Sequence, residues 1–244
     1  MTAASVKVGC CGFPVGRERY FQAFTVVEVQ QTFYQPPRPQ TASRWRDEAP
    51  DGFEFTLKAW QLITHEASSP TYRRLRMPLR ERDKEQVGAF RWTGPVRRAW
   101  DETLHLARLL GAEKVLFQCP ASFKPTEENK DRLRQFFASI DREGITCIWE
   151  PRGQWQPEEI ARLCRELDLR HCTDPHRARP VTGGMRYFRL HGIGGYRHRY
   201  TDEELRTAWA MRASRAVTYF MFNNVSMFHD ARRFRRLIEE ECAG

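Results

Sequence analysis

Val26-Val27-Glu28-Val29-Gln30 alternates residue by residue: Val27 and Val29 share one face, Glu28 and Gln30 the other. Phe53-Glu54-Phe55-Thr56-Leu57-Lys58 repeats the pattern, with 53/55/57 apolar and 54/56/58 polar. Period-two alternation marks a strand with two unlike faces. These two stretches belong to eight such runs, namely Val6–Cys10, Thr25–Gln30, Phe53–Lys58, Lys114–Cys119, Ile145–Glu150, Leu169–Asp174, Met185–His191 and Ala216–Asn223. Helical patterns fill most gaps between them. The expected fold class is therefore α/β, a single (β/α)8 barrel of the TIM type over residues 1–244. Its polar strand ends would converge on one mouth, where barrel enzymes keep their chemistry.

The helices read from their spacing and their ends. Gly16–Phe24 is a short first helix, and Pro39–Glu48 follows the second strand. Pro95–Leu110 places Val96, Ala99, Trp100, Leu104, Ala107 and Leu110 on one face and stops at Gly111. Thr126 opens a helix with Leu133, Phe136, Phe137 and Ile140 on its apolar face, and Pro157–Leu167 is the next. Thr201 and Glu204 have the spacing of a capping box, and His229–Cys242 closes the chain. Two irregularities interrupt this order. The connection from Lys58 to Gly94, after strand 3, is a long insertion of the kind that forms lids or binding loops. Between Asp174 and Met185 no helical pattern is present, so the sixth βα unit is degenerate.

Composition narrows the class further. With 244 residues, 41% hydrophobic and 12% aromatic, the chain can bury a sizeable core. No run approaches the roughly 18 consecutive apolar residues of a membrane span. Met1-Thr2-Ala3-Ala4-Ser5 lacks the charged and apolar regions of a signal peptide, which leads to an expectation of a cytoplasmic protein without a membrane partner. Seven cysteines, an odd number with no C-x-x-C pair, read as buried free thiols in a reducing compartment. Cys10-Cys11, at the mouth end of the first strand, is the one place where a thiolate nucleophile would be useful. The net charge is +9, and of the 40 basic residues six are lysine and 34 arginine. Arginine grips phosphate bidentately, so the excess suits an anionic substrate or nucleic acid, although a solvated basic surface would give the same count.

The inward phase of the strands gathers Glu28, Gln30, Lys58, Gln118, Glu150, Asp174, Arg189, His191 and Asn223 at the mouth. Carboxylates beside a lysine, an arginine and a histidine have the makings of acid–base catalysis, and they can also hold a divalent metal. The competing account is a buried pairing network that only plugs the barrel top. The loop Arg189-Leu190-His191-Gly192-Ile193-Gly194-Gly195-Tyr196-Arg197-His198-Arg199-Tyr200 mixes glycines with basic residues, as phosphate-holding loops after seventh strands do. Tyr34, Phe123 and Trp155 lie just past strand ends and could stack on a base or sugar, or simply pack the rim. Arg232-Arg233-Phe234-Arg235-Arg236 looks like a phosphate patch, but on a terminal amphipathic helix a solvated face accounts for it. Walker, dinucleotide, H-E-x-x-H and zinc-spaced cysteine motifs are absent.

The motifs Val8-Gly9-Cys10-Cys11-Gly12-Phe13, Val27–Tyr34, Phe55–Lys58 with Ile63-Thr64-His65, Phe117–Phe123, Glu150-Pro151-Arg152, Tyr187–Gly192 and Tyr219–Asn224 resemble the DUF72 (YecE-like) family in order and spacing. The resemblance spans nearly the whole chain. It implies a TIM-type barrel and brings no established reaction; barrels of this kind have a distant similarity to endonuclease IV-like and sugar-isomerase-like barrels. Two positions depart from the family pattern: Cys10-Cys11-Gly12-Phe13 replaces a Thr-Ser and Gly-Trp, and Gln30-Gln31 replaces an Asn-Ser or similar pair. The matching positions are Glu28, Lys58, His65, Gln118, Glu150, Arg152, Arg189, His191, Asn223 and Asn224.

The expectation is an enzyme acting on a phosphate-bearing substrate, a nucleic acid or a sugar phosphate. Glu28, Lys58, Glu150, Asp174 and His191 would be catalytic, and Tyr34, His65, Gln118, Arg152, Arg189, Asn223 and Asn224 would bind substrate. No cofactor is specified beyond a divalent metal that the carboxylates and His191 allow. The alternatives are a non-catalytic nucleic-acid-binding protein and a two-carboxylate glycosidase, the latter requiring Glu28 and Glu150 roughly 5–9.5 Å apart.

Overall fold

The computed structural model describes residues 5–76 and 78–243; the leader reading at residues 1–4 lies outside them. Eight parallel strands close a barrel in chain order: β1 Val6–Cys11, β2 Val26–Val29, β3 Glu54–Lys58, β4 Lys114–Gln118, β5 Thr146–Glu150, β6 Arg170–Thr173, β7 Arg186–Leu190 and β8 Thr218–Phe222. All eight expected strands are present, with ends shifted by one or two residues. The helices are α1 Arg17–Ala23, α2 Gln31–Tyr34, α3 Pro39–Glu48, α4 Gln61–Thr64, α5 Glu81–Lys84, α6 Gly94–Leu110, α7 Glu127–Ser139, α8 Pro157–Glu166, α9 Asp202–Ala210 and α10 Met227–Ala243. Among the described residues no helix is long and apolar enough to cross a membrane. The chain gathers into two compact units, one made of the chain up to Glu28, Ala49–Glu54 and the chain from Arg170, the other of Val29–Glu48 and Phe55–Leu169.

In the first unit β8 pairs with β1 on one side and β7 on the other, so Val8, Phe188 and Phe220 fall in one row and Cys10, Leu190 and Phe222 in the next. The aromatic rows stack: Phe188 on Phe220 with centroids 5.2 Å apart, and Tyr187 on Tyr219 at 5.4 Å. Phe234 of α10 meets Phe220 edge-on at 4.9 Å and covers the outer face. Gly9 permits the close approach of β1 to its neighbour, because a Cβ there would lie 2.3 Å from the Val26 carbonyl oxygen. Tyr20 of α1 ties both strands together, accepting from the Cys10 amide at 2.7 Å and donating to the Val26 carbonyl at 2.9 Å. The capping box at Thr201 and Glu204 is formed, with both reciprocal bonds present. No helix joins β6 to β7; the connecting loop folds back on β6, where the His171 amide donates to Thr182 Oγ1 and the Val181 amide to His171 Nδ1.

In the second unit β4 pairs with β5 from Lys114 opposite Thr146 to Gln118 opposite Glu150, and Lys58 of β3 lies opposite Leu116. Phe117 meets Trp100 of α6 and Phe136 and Phe137 of α7 in one aromatic cluster, with Phe90 from the insertion added to it. Gly111 ends α6 in the left-handed region at φ 61°, as expected of that stop. The insertion is anchored at both ends. The Gly88 amide donates to the Leu62 carbonyl at 2.7 Å and the Phe90 amide to the Ile63 carbonyl at 2.8 Å, while Phe90 is wholly buried. Gly88 has φ 79° and lies against the His65 backbone, 2.3 Å from where a Cβ would be. This packing holds His65 in place.

Candidate functional site

The strand-end residues of the first unit form hydrogen-bonded clusters. Glu28 of β2 accepts from Arg189 Nη2 at 2.9 Å and from the Tyr187 hydroxyl at 3.0 Å, and Glu28 and Arg189 are both 0% exposed. An ion pair so fully removed from water needs both partners and their hydrogen bonds to persist. Cys11 lies beside this pair, and burial with the Glu28 charge pushes its thiol well up. Cys10 is pushed up as well, by burial first. Neither sulfur has the character of a thiolate nucleophile.

Asp174, just past β6, accepts from the backbone amides of His176 and His191, each at 3.0 Å, and so joins the ends of β6 and β7. His191 Nδ1 lies 3.1 Å from Asn223 Nδ2. With the amide donating, that ring nitrogen is the acceptor. Asn224 is buried and donates to Asp230 Oδ2 at 2.7 Å and to the His198 carbonyl at 2.8 Å, the position of a loop brace. The glycine loop has its own reason for glycine. Gly192 sits at φ 90°, a Cβ there would come 2.2 Å from the Gly195 carbonyl oxygen, and its amide donates to the Tyr200 hydroxyl at 2.7 Å. The turn itself requires Gly192. Tyr196 stands outside this turn at 62% exposure, between the exposed Arg197 and Ile193.

The second unit collects the remaining candidates into a different environment. Lys58 at the end of β3 is 3% exposed; its Nζ donates to Gln118 Oε1 at 2.9 Å and lies 3.6 Å from the centroid of Phe33. Thr32 of α2 donates to the Lys58 carbonyl at 2.6 Å, fastening the strand end. Tyr34 lies 6.0 Å from the same ammonium and carries the guanidinium of Arg74 3.5 Å over its ring. His65 packs edge-on to Phe33 at 4.8 Å and shares a 2.8 Å hydrogen bond between Nδ1 and Thr64 Oγ1. Burial, with the charges of Lys58 and Arg152 adding to it, pushes His65 down to about 3, so its imidazole is neutral at ordinary pH. Glu150 at the end of β5 accepts from Arg152 Nε at 3.0 Å and Nη2 at 2.8 Å. Its side chain is 6% exposed whereas that of Arg152 is 38% exposed, so the guanidinium is the part that meets solvent.

Trp155 and Phe123 are buried, stacked on each other at 5.8 Å, with Trp155 Nε1 donating to the Phe123 carbonyl. They pack the rim. All seven cysteines are free, as expected; six are buried, whereas Cys242 is exposed, contrary to the reading of buried thiols. Among the described residues no three histidine, cysteine, aspartate or glutamate side chains converge as metal ligands. Sequence reasoning missed Tyr187 as a partner of Glu28, Phe33 as the floor under Lys58, and Arg74 as the cation over Tyr34. Tyr187 and Phe33 stand within motifs already noted but carry no charge, and Arg74 was hidden in a run of insertion arginines.

UPF0759 protein YecE of Escherichia coli K12 is 37% identical over 51 residues, a match spanning 21% of this chain and 19% of that protein. A DUF72 family protein from Thermotoga maritima matches in structure over 96% of this chain and 99% of its own, at a TM-score of 0.68 and 20% identity. Endonuclease IV from Thermus thermophilus shares the fold more loosely, at a TM-score of 0.52 and 14% identity over 98% of this chain and 100% of that one. A family model described as a protein of unknown function, DUF72, matches residues 16–243, and the chain belongs to that family.

Proposed function

We propose that the protein is an enzyme acting on a phosphate-bearing substrate, a nucleic acid or a sugar phosphate, which it grips at the strand ends of the second unit. The observation that supports this reading is the convergence of Lys58 and Arg152 on a buried neutral His65, with Glu150 as the carboxylate held by Arg152. Lys58 and Arg152 would neutralise phosphate oxygens, the guanidinium by a bidentate contact. Neutral His65 and Gln118 would orient the group, and Tyr34 under Arg74 would face the rest of the substrate. Glu150 would serve as general base once the incoming anion competes for Arg152. Phosphoryl chemistry suits such a site because its transition state calls mainly for positioning and positive charge. Glu28, sealed with Arg189, is assigned to holding the barrel, and Asp174 to holding the loops after β6 and β7. The likeness to endonuclease IV is one of fold and does not choose the substrate.

A melting-temperature screen of phosphorylated sugars, their unphosphorylated counterparts and short oligonucleotides tests the reading. Phosphorylated compounds should raise the melting temperature of the wild type and fail to do so in Lys58→Gln and Arg152→Gln. Equal shifts from unphosphorylated sugars, or undiminished shifts in both variants, would remove the reading. A second reading, a nucleic-acid-binding protein without turnover, is favoured by Tyr196, exposed beside Arg197 and near Arg199. A binder should keep its salt-dependent affinity in Glu150→Gln, whereas an enzyme should keep binding and lose turnover.

A further inference from the structure

Away from the strand ends, α1 and α10 of the first unit line an open cavity of about 360 Å³. Arg19 from α1 faces Arg232, Arg235 and Arg236 from α10 across it, with Glu239 the carboxylate in the lining. Phe228 forms the floor at 4% exposure, and the guanidinium carbons of Arg19 and Arg232 lie 5.1 and 5.8 Å from its ring centroid. Arg235 is engaged within the protein, donating to the Ala23 carbonyl and lying 3.3 Å from Glu239 Oε1. Arg19, Arg232 and Arg236 are exposed, and among the described residues no carboxylate pairs with any of them.

This arrangement differs from a solvated helix face. Arginines three and four residues apart lie side by side on one stripe, where like charges repel by a few tenths of a kcal/mol, roughly 0.2–0.5. A solvated face would spread them. Here the stripe is met by a further arginine from another helix around a concave space, so four guanidiniums stand against one carboxylate. We propose that this cavity binds a compact ligand carrying two or more linked phosphates. A single phosphate would leave positive charge unmatched, whereas linked phosphates offer an oxygen pair to each of the three unpaired guanidiniums. Phe228 is covered by two of the arginines, so the floor offers no open face to a stacking base. Charge recognition carries the site.

Isothermal titration calorimetry with tripolyphosphate tests the proposal on the full chain. Lys58→Gln disables the strand-end cluster, so the cavity is read in that background. Tripolyphosphate should bind Lys58→Gln protein, and adding Arg232→Gln and Arg236→Gln should weaken it about tenfold or more. Both arginines are exposed, so the added changes should leave the melting temperature of the free protein in place, which separates lost binding from lost fold. Absence of binding in the Lys58→Gln protein, or affinity unchanged by the two arginine substitutions, would overturn the cavity and leave the strand-end reading intact. A single-stranded oligonucleotide that binds this background more tightly than tripolyphosphate, and loses affinity with the same arginines, would overturn the compact ligand.

Discussion

Replacing Glu28 by glutamine removes one charge from a pair whose two side chains are wholly buried. The amide is close to the carboxylate in shape, and its oxygen can still accept from Tyr187 or Arg189, so the loss is mainly electrostatic. Arg189, at 0% exposure, then loses the Glu28 charge. Removing one member of a buried ion pair costs about 3–5 kcal/mol, against about 0–1 for an exposed pair. At about 2–4 °C per kcal/mol for a chain of this size, the melting temperature should fall by roughly 6–20 °C. Denaturant unfolding followed by circular dichroism should show a lower midpoint with the slope unchanged. The double variant Glu28→Gln/Arg189→Met should recover part of the loss, because it removes the buried guanidinium charge as well. A Glu28→Gln protein that melts within about 2 °C of wild type yet has lost turnover would refute the reasoning, since it would make Glu28 a reacting carboxylate.

The His65 environment has a pH consequence. Its pKa is pushed from 6.5 to about 3 by burial and the nearby cations, so between those values the unfolded chain takes a proton that the folded chain refuses. This contribution is complete above pH 6.5 and lost as pH falls toward 3; denaturation midpoints measured from pH 7 to 4.5 should therefore drop further in wild type than in His65→Gln, and parallel drops would contradict it. Thiol labelling of the native protein should find one fast-reacting group, Cys242, with the six buried thiols appearing only on denaturation. Cys119 and Cys147, both pushed up to about 12 by burial, should stay silent at pH 8, and rapid labelling of Cys11 would show that β1 opens. Gly192→Ala should cost at least about 1–2 kcal/mol for its left-handed backbone alone, with the contact to Gly195 added. Gly194→Ala, at φ 76° but with no atom within 4 Å of the new Cβ, should cost less, and equal melting points for the two would show that the turn adapts.

The barrel was legible because its signals are local. Alternation in residues 26–30 and 53–58 needs only neighbours, as do the Thr201–Glu204 cap and the stop at Gly111, and each stands where the pattern put it. What the alternation did not convey is that both strand faces are buried: Val26, Val27, Glu28 and Val29 are all inside. A parallel barrel covers its outer strand face with helices, so a polar residue on the inner phase need not face water. The insertion was legible as an irregularity and not as a structure. Its anchor is Phe90, which enters an aromatic cluster with Phe117, Phe136 and Phe137, and no spacing within residues 58–94 announces those partners.

The same limit divides the candidate site. Glu28 and Glu150 carry the same mark in the sequence, a carboxylate on the inward phase near the end of a strand. Their difference lies in their partners. Glu28 meets Arg189, 161 residues away and wholly buried, so its charge is matched inside the protein. Glu150 meets Arg152, two residues on, whose side chain stays 38% exposed and can turn to an incoming anion. A carboxylate sealed with its cation stabilises the fold, because separating the pair costs more than a substrate contact returns. One held by a half-exposed arginine can exchange that arginine with a phosphate. Beside it Lys58 rests on Phe33 and Gln118, and His65 is kept neutral by burial, with both cations adding to it. Chemistry at this barrel is therefore expected where charge is matched at the boundary with solvent, around Lys58, His65 and Arg152, and not where it is matched in the interior at Glu28.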